Sequence, residues 1–298
     1  MQESTFQQII QQPRARIAKY QEIIPAYYNR VTQTYLKQWG ESFHLALFSE
    51  AETLREALDA TERAIANEGG FSPGMKILDV GCGVGGPALN IAEYSGAHIT
   101  GIDLVPEHIQ IARQRALEKG LSDSTDFVCG DGMNMPFVDG SFDAVYIFDT
   151  GCYMPDKQPF YKECARVLRP GGLFLGLDLI RREGLSAEEQ AKYIEPICRY
   201  QAIPYLISLE ELHQCLTRAD FVVKTIENAG ELGNVLRNWE IIDNNFFKYI
   251  NDVLLKFTPQ NIRLLINGGN ALLAGAKAEV IIMGHWYGYK ANVAEEVE

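Results

Sequence analysis

Apolar positions in this chain switch between two periods. Lys76–Val80, 97–102, 124–129, 142–148 and 172–178 are short, nearly continuous apolar runs of strand length. Between them, 86–95, 106–119 and 157–168 carry apolar residues at helical spacing, such as Ile109, Ala112 and Ala116. Buried parallel strands read as short unbroken apolar runs, whereas covering helices show one apolar stripe. Strict alternation of the two predicts a doubly wound, mostly parallel α/β sheet, Rossmann-like and seven-stranded. Pro106 suits the first turn of its helix.

The flanks are read the same way. Residues 1–26 predict one or two helices with a break near Pro13, and 50–68 a helix leading into the first strand. After 178 the pattern predicts helices near 186–199 and 209–219 and a strand at 221–226. It then predicts an aromatic-rich helix over 232–257 (Trp239, Phe246, Phe247, Tyr249, Phe257) and a helix from Thr258 or Asn261 to about Gly275. A last, antiparallel strand is predicted at 278–285, followed by an acidic, frayed tail. This organises the chain as an N-terminal helical cap, 1–70, on a domain, 71–298, with lid insertions near 181–207 and 230–275.

Chemistry concentrates where the strands end. Gly81, Gly83, Gly85 and Gly86 follow the first strand directly, and glycine lets a backbone turn sharply and approach a ligand. The second strand ends in Asp103, an acid placed to accept hydrogen bonds from both hydroxyls of a ribose. A strand, a glycine turn, a helix and an acid-tipped strand make a nucleotide-type crevice. Gly81, Gly83 and Gly86 also satisfy Gly-x-Gly-x-x-Gly, a spacing that NAD enzymes share. Asp79, two residues before the first glycine, can meet an ammonium group. Asp131-Gly132-Met133, after the third strand, can hold an adenine. Asp79, Asp103, Asp131 and Asp149 all fall at carboxyl ends of strands, where one site would gather them.

Composition narrows the classes. Hydrophobic residues make up 47% and charged residues 22%, ordinary for a globular protein. A net charge of −12 argues against a nucleic-acid partner, which requires a basic face. Six scattered cysteines form no Cys-x-x-Cys pair, so no metal ligands are assigned and reduced thiols of a cytoplasmic protein are expected. No run of 18 apolar residues is present and no signal peptide is read, so no stable membrane insertion is expected. A monomer or homodimer is anticipated.

Residues 70–180, with Leu-Asp-Val-Gly-Cys-Gly, Asp131-Gly132-Met133 and Val167-Leu168-Arg169-Pro170-Gly171-Gly172, resemble class I S-adenosylmethionine-dependent methyltransferases. Tyr27-Tyr28-Asn29-x-Val31-Thr32-x-x-Tyr35-x-x-x-Trp39-Gly40-x-Ser42-Phe43-His44 is similar to the N-terminal signature of sterol 24-C-methyltransferases and their tocopherol, isoprenyl-diphosphate and terpenoid indole alkaloid relatives. The resemblance implies S-adenosylmethionine as cofactor, S-adenosylhomocysteine as product, and a signature segment that covers the cofactor and lines the substrate pocket. Cofactor contacts are then expected from Tyr28, Trp39, Ser42, Asp79, Gly81, Cys82, Gly83, Asp103, Leu104, Gln110, Asp131, Gly132, Met133 and Phe148. Catalytic candidates are Tyr28, His44, Asp149, Tyr153 and Glu195, with His44, Asp149 and Glu195 as possible bases. Sterol enzymes carry Glu-Ala-Thr-Cys-His after strand four, and this chain has Asp149-Thr150-Gly151-Cys152-Tyr153. The C-terminal third also lacks resemblance to a sterol enzyme. A small apolar prenylated or terpenoid acceptor, methylated on carbon or nitrogen, is therefore expected. A sterol, an isoprenyl diphosphate using Mg2+ with Arg30, Arg181, Arg182 or Arg199, and a cyclase-like protein without methyl transfer remain as alternatives.

Overall fold

The computed structural model describes residues 1–49, 52–234, 236–242 and 259–292. The predicted aromatic positions Phe246, Phe247, Tyr249 and Phe257 and the acidic tail from 293 lie outside them. Strands β1 (Lys76–Val80), β2 (His98–Asp103), β3 (Thr125–Cys129), β4 (Phe142–Phe148), β5 (Leu168–Arg181), β6 (Phe221–Asn228) and β7 (Ile281–Lys290) form one sheet in the order β3-β2-β1-β4-β5-β7-β6. Pairings among β1 to β5 are parallel, and β7 runs antiparallel to both β5 and β6. This is the predicted doubly wound, mostly parallel sheet.

Alternation across β1 divides the core. Ile77 packs with Ile65 of α4 (Leu54–Glu68), Leu89 of α5 (Gly86–Ser95) and Ile109 of α6 (Pro106–Lys119). Leu78 and Val80 face the other way, onto Phe160 and Cys164 of α7 (Lys157–Val167). Local chemistry fixes the helix ends. Thr53 and Glu56 close a capping box on α4, and Gly96 and Gly120 end α5 and α6 in the left-handed conformation.

Three helices precede α4: α1 (Glu3–Ile10), α2 (Pro13–Ala18) and α3 (Tyr20–Gln38). The break falls at Pro13, as the sequence implied. After β5 come a helical stretch, Ala187–Glu189 and Glu195–Tyr200 joined by a π turn at Gln190–Ile194, then α10 (Leu209–Thr217). Counting the two α-helical pieces as α8 and α9, the remaining α-helices among the described residues are α11 (Leu236–Ile242) and α12 (Gln260–Lys277). Phe6, Ile10, Ile23 and Tyr27 pack with Leu264 and Leu265 of α12, so the chain's first helices close against its last one.

β5 begins four residues earlier than predicted. Leu168 pairs with Phe142 before the register shifts at Asp143, so the Arg-Pro-Gly-Gly turn is a bulge inside the strand rather than a break before it. Strand order reverses between β1 and β4, which opens a crevice over their carboxyl ends. Among the described residues no helix is long and apolar enough to cross a membrane.

The middle of the sheet has no spare volume. A Cβ on Gly176 of β5 would stand 2.2 Å from Cζ2 of the buried Trp286 on β7. Replacing Gly176 by Ala is expected to cost about 1–3 kcal/mol by overpacking. Urea unfolding checks this, and an unchanged midpoint would show that the indole moves aside freely.

Candidate functional site

Two cavities share a wall above the sheet. The lower one, about 660 Å³ with its mouth, sits over the ends of β1, β2 and β4. Gly81 and Gly83 form its floor, both at positive φ. The tips of β1 and β2 are tied together where the Gly81 and Cys82 amides donate to the Ile102 carbonyl. A side chain at Gly81 would collide with Thr150, at 2.2 Å from Oγ1. Asp103 stands at the β2 end and lines the cavity with Leu104. Its Oδ2 accepts from the Gly83 amide at 3.0 Å and its Oδ1 from the Val105 amide at 2.8 Å. Asp131 and Gly132 close the far side. Asp131 Oδ1 accepts from the Met133 backbone amide, while its Oδ2 accepts from the Tyr20 hydroxyl and from Gln21 Nε2, both on α3.

The upper cavity, about 870 Å³ with its mouth, is mostly apolar. Tyr28 and Tyr35 roof it from α3, and Trp39, Phe43, His44 and Leu45 continue the roof beyond that helix. Cys152, Tyr153 and Leu179 supply the sheet side, and Ile203, Leu265 and Leu272 the far wall. Tyr28, Phe43, Asp149 and Tyr153 line both cavities. The Tyr28 and Tyr153 rings lie 5.9 Å apart.

Asp149 is unusual in three ways. Its φ is +47°, the left-handed region that Asp tolerates better than Glu, because its short side chain can bond locally. Its Oδ2 accepts from the Leu45 amide at 2.8 Å, whereas Oδ1 is buried without a partner. Burial pushes its pKa up to about 6.

His44 has both ring nitrogens engaged. Nδ1 faces the Leu45 carbonyl at 2.9 Å and Nε2 faces Glu62 Oε1 at 3.1 Å. A carbonyl and a carboxylate only accept, so both nitrogens donate and the ring is an imidazolium. Burial opposes that charge, but the Glu62 carboxylate more than offsets it and holds the pKa above the ordinary value. With no lone pair to offer, His44 is not placed to act as a base. It stacks on Phe148 at 4.3 Å instead. Glu62 is itself fully buried. It also accepts from Ser42 Oγ and Asn90 Nδ2, and His44 first, then these two bonds, hold its pKa below the usual carboxylate range against the effect of burial.

The remaining candidates separate. Ser42 serves Glu62, and Trp39 lines the upper cavity and donates from Nε1 to the His44 carbonyl. Asp79 lies buried behind the glycine turn with Oδ2 unpartnered, its pKa pushed by burial to about 8. Cys82 and Met133 pack in the core and line neither cavity, and Gln110 is exposed on α6. Glu195 is removed from both cavities. Its two oxygens accept from the buried Arg16 guanidinium at 3.0 and 2.7 Å, which also donates to the Ile203 and Ile10 carbonyls. Glu195 thus joins the N-terminal helices to the inserted helix. The sequence reading missed Tyr20, Glu62 and His108. His108 is buried, lines the lower cavity and meets Asp103. A lone His and a Glu inside helical patterns carry no local signal.

Residues 78–176 match the model of a methyltransferase domain. The chain carries a methyltransferase domain. That methyltransferase domain has close relatives in sequence. A sterol 24-C-methyltransferase of Gibberella zeae is 46% identical over 160 residues, which are 54% of this chain and 42% of that protein. Cycloartenol-C-24-methyltransferase 1 of Oryza sativa is 44% identical over 162 residues, 54% of this chain and 46% of that one. The match therefore spans about half the length of these relatives. In structure, the [4+2]-cyclase SpnF superposes with a TM-score of 0.76 at 23% identity, covering 91% of this chain and 96% of that one. The methyltransferase domain holds both the glycine turn and the Asp149 loop.

The Glu62–His44 pair makes stability depend on pH with a definite sign. Its His half stabilises below the unfolded His value near 6.5 and fades as pH rises through the raised folded value. Its Glu half stabilises above the unfolded Glu value near 4.5 and fades as pH falls through the lowered folded value. Glu62→Gln is expected to cost about 3–5 kcal/mol near pH 6 and less at pH 9.5, in urea titrations at both. An equal cost at the two values would mean that His44 is neutral throughout.

Proposed function

We propose that the protein transfers a methyl group from S-adenosylmethionine to a neutral, apolar acceptor of isoprenoid origin, on an alkene carbon. The observation that carries this is the shared wall: a glycine-floored cavity with a ribose-type acid meets an apolar cavity at Tyr28, Phe43, Asp149 and Tyr153. We assign residues 1–70 as the cap of the domain 71–298 and 181–207 as a lid insertion; the second expected lid, 230–275, lies partly outside the described residues.

The lower cavity fits the cofactor. Gly81 and Gly83 line it with bare backbone, Asp103 lines it at the β2 end, and behind the glycine turn Asp79 is a buried carboxyl group with an oxygen unpartnered. Gly81 and Gly83 take the methionine end, Asp103 the ribose, and Leu104, Asp131 and Gly132 the adenine. When bound, S-adenosylmethionine supplies the electrophilic methyl group on its sulfonium.

The chain's own residues do the rest. Holding the acceptor against that methyl group is the largest contribution. Methylation of an alkene leaves a positive carbon on the acceptor, and the faces of Tyr28, Phe43 and Tyr153 attract such a charge. Asp149 Oδ1 takes the proton whose loss restores the double bond. Burial raises the Asp149 pKa, and the Leu45 amide and the positive charge of His44 oppose that rise, so the carboxyl ionises near 6.

The sterol-type relatives favour a carbon acceptor with a ring system. A diphosphate acceptor finds less support. Among the described residues no Lys or Arg lines the upper cavity, and no cluster of three His, Cys, Asp or Glu is placed to hold a metal. Arg30, Arg181, Arg182 and Arg199 are engaged with Glu3, Glu211, Glu189 and Glu195.

Incubation with S-adenosylmethionine and a panel of sterols, terpenoid alcohols and isoprenyl diphosphates, read by mass spectrometry, is expected to give a product only from the neutral members. A product from diphosphates alone would reverse the acceptor class, and no S-adenosylhomocysteine binding by calorimetry would sink the assignment. With a neutral acceptor, kcat/KM should rise with pH through about 6 as Asp149 ionises. Asp149→Asn should lower kcat by roughly 10²–10⁴ and abolish that limb.

A further inference from the structure

His108 belongs to neither the glycine turn nor the acceptor wall, yet it is buried between them. It lies on α6 and is 1% exposed. Its Nδ1 stands 3.2 Å from Asp103 Oδ1, and its Nε2 stands 2.9 Å from the hydroxyl of Thr32 on α3. Thr32 is itself 1% exposed. The ring meets Tyr28 edge-on at 4.9 Å and Phe43 at 5.9 Å. A carboxylate only accepts, so Nδ1 carries the proton, and Nε2 is the nitrogen turned to Thr32.

We infer that His108 is the positioning residue that aims Asp103 at the ribose and ties that aim to the cap helix. The inference rests on the reading that the lower cavity takes S-adenosylmethionine. Asp103 accepts from three donors: the amides of Gly83 and Val105, and His108 Nδ1. The two amides belong to the core backbone. The third donor is a side chain whose other nitrogen touches the cap. A carboxylate gripped in this way keeps a lone pair on Oδ2 free and fixed in one direction, and a ribose hydroxyl reads that direction through a charge-assisted hydrogen bond. One imidazole therefore connects the ribose carboxylate to Thr32 and, through ring contacts, to Tyr28 and Phe43 at the junction of the two cavities. Occupancy of the ribose site and seating of α3 are one event.

The test compares S-adenosylhomocysteine with its 2′,3′-dideoxy analogue by calorimetry, in wild type and variants. In wild type, losing the hydroxyls should weaken binding at least tenfold. In His108→Phe, which keeps an aromatic ring, that penalty should fall below threefold. His108→Asn places an amide donor where Nδ1 stood and should restore the penalty. His108→Gln reaches Thr32 but not Asp103; it should lose the penalty, and it replaces the Phe variant if that one fails to fold by circular dichroism. In wild type S-adenosylhomocysteine is expected to protect residues 1–45 from trypsin, and Thr32→Val should keep the penalty but lose that protection. A penalty in His108→Phe and His108→Gln equal to wild type overturns the inference while leaving the cofactor reading intact. Absence of S-adenosylhomocysteine binding to wild type overturns both.

Discussion

The site depends on one carboxylate. Glu62 is fully buried in α4 and accepts from Ser42, His44 and Asn90. A lone buried carboxylate would be costly, and three donors, one of them an imidazolium, make it tolerable. Those donors come from two places. Asn90 belongs to the helix that follows the glycine turn, while Ser42 and His44 belong to the segment that leaves the cap. The Leu47 amide continues the seam onto Thr61 Oγ1, and Ala46 exchanges two hydrogen bonds with Asn238. Glu62 thus pins the roof of the upper cavity to the floor of the lower one.

The glycine turn serves this seam as well as a ligand. A side chain on Gly86 would stand 2.3 Å from the carbonyl of Glu41. The fourth glycine of the turn therefore makes room for the polypeptide entering the Ser-Phe-His stretch. Gly81 and Gly83, at positive φ, shape the floor. Two constraints share four adjacent glycines, one set by a small-molecule site and one by the protein's own backbone.

Much of the fold was legible because it rests on local patterns. β1, α5, α6 and β4 fall at the predicted bounds, where apolar runs, Pro106 and the C-cap glycines speak for themselves. The acids at strand ends were legible for the same reason, since topology carries every such end to one edge. What stayed hidden depends on partners far away in sequence. Nothing near His44 shows that Glu62 fills its second nitrogen and removes it as a base. Nothing near Glu195 shows Arg16, 179 residues away. The exchange of the family's Glu for Asp149 was visible, but its physical reason, a left-handed backbone with one oxygen on Leu45, appears only in three dimensions.

The position of β7 has a consequence for how the chain comes to be. It pairs with β5 on one side and β6 on the other, and its contact with β5 joins Arg181 to Ile281. During synthesis the β5 edge is therefore laid down roughly a hundred residues before the strand that covers it. At ribosomal rates that interval lasts about 5–20 s. Through that time an apolar strand with unpaired amides and carbonyls stands open, the condition under which nascent chains join one another. The inserted helices and β6 are made within the same interval. They reach the ribosome exit before β7, the strand that finally closes that edge.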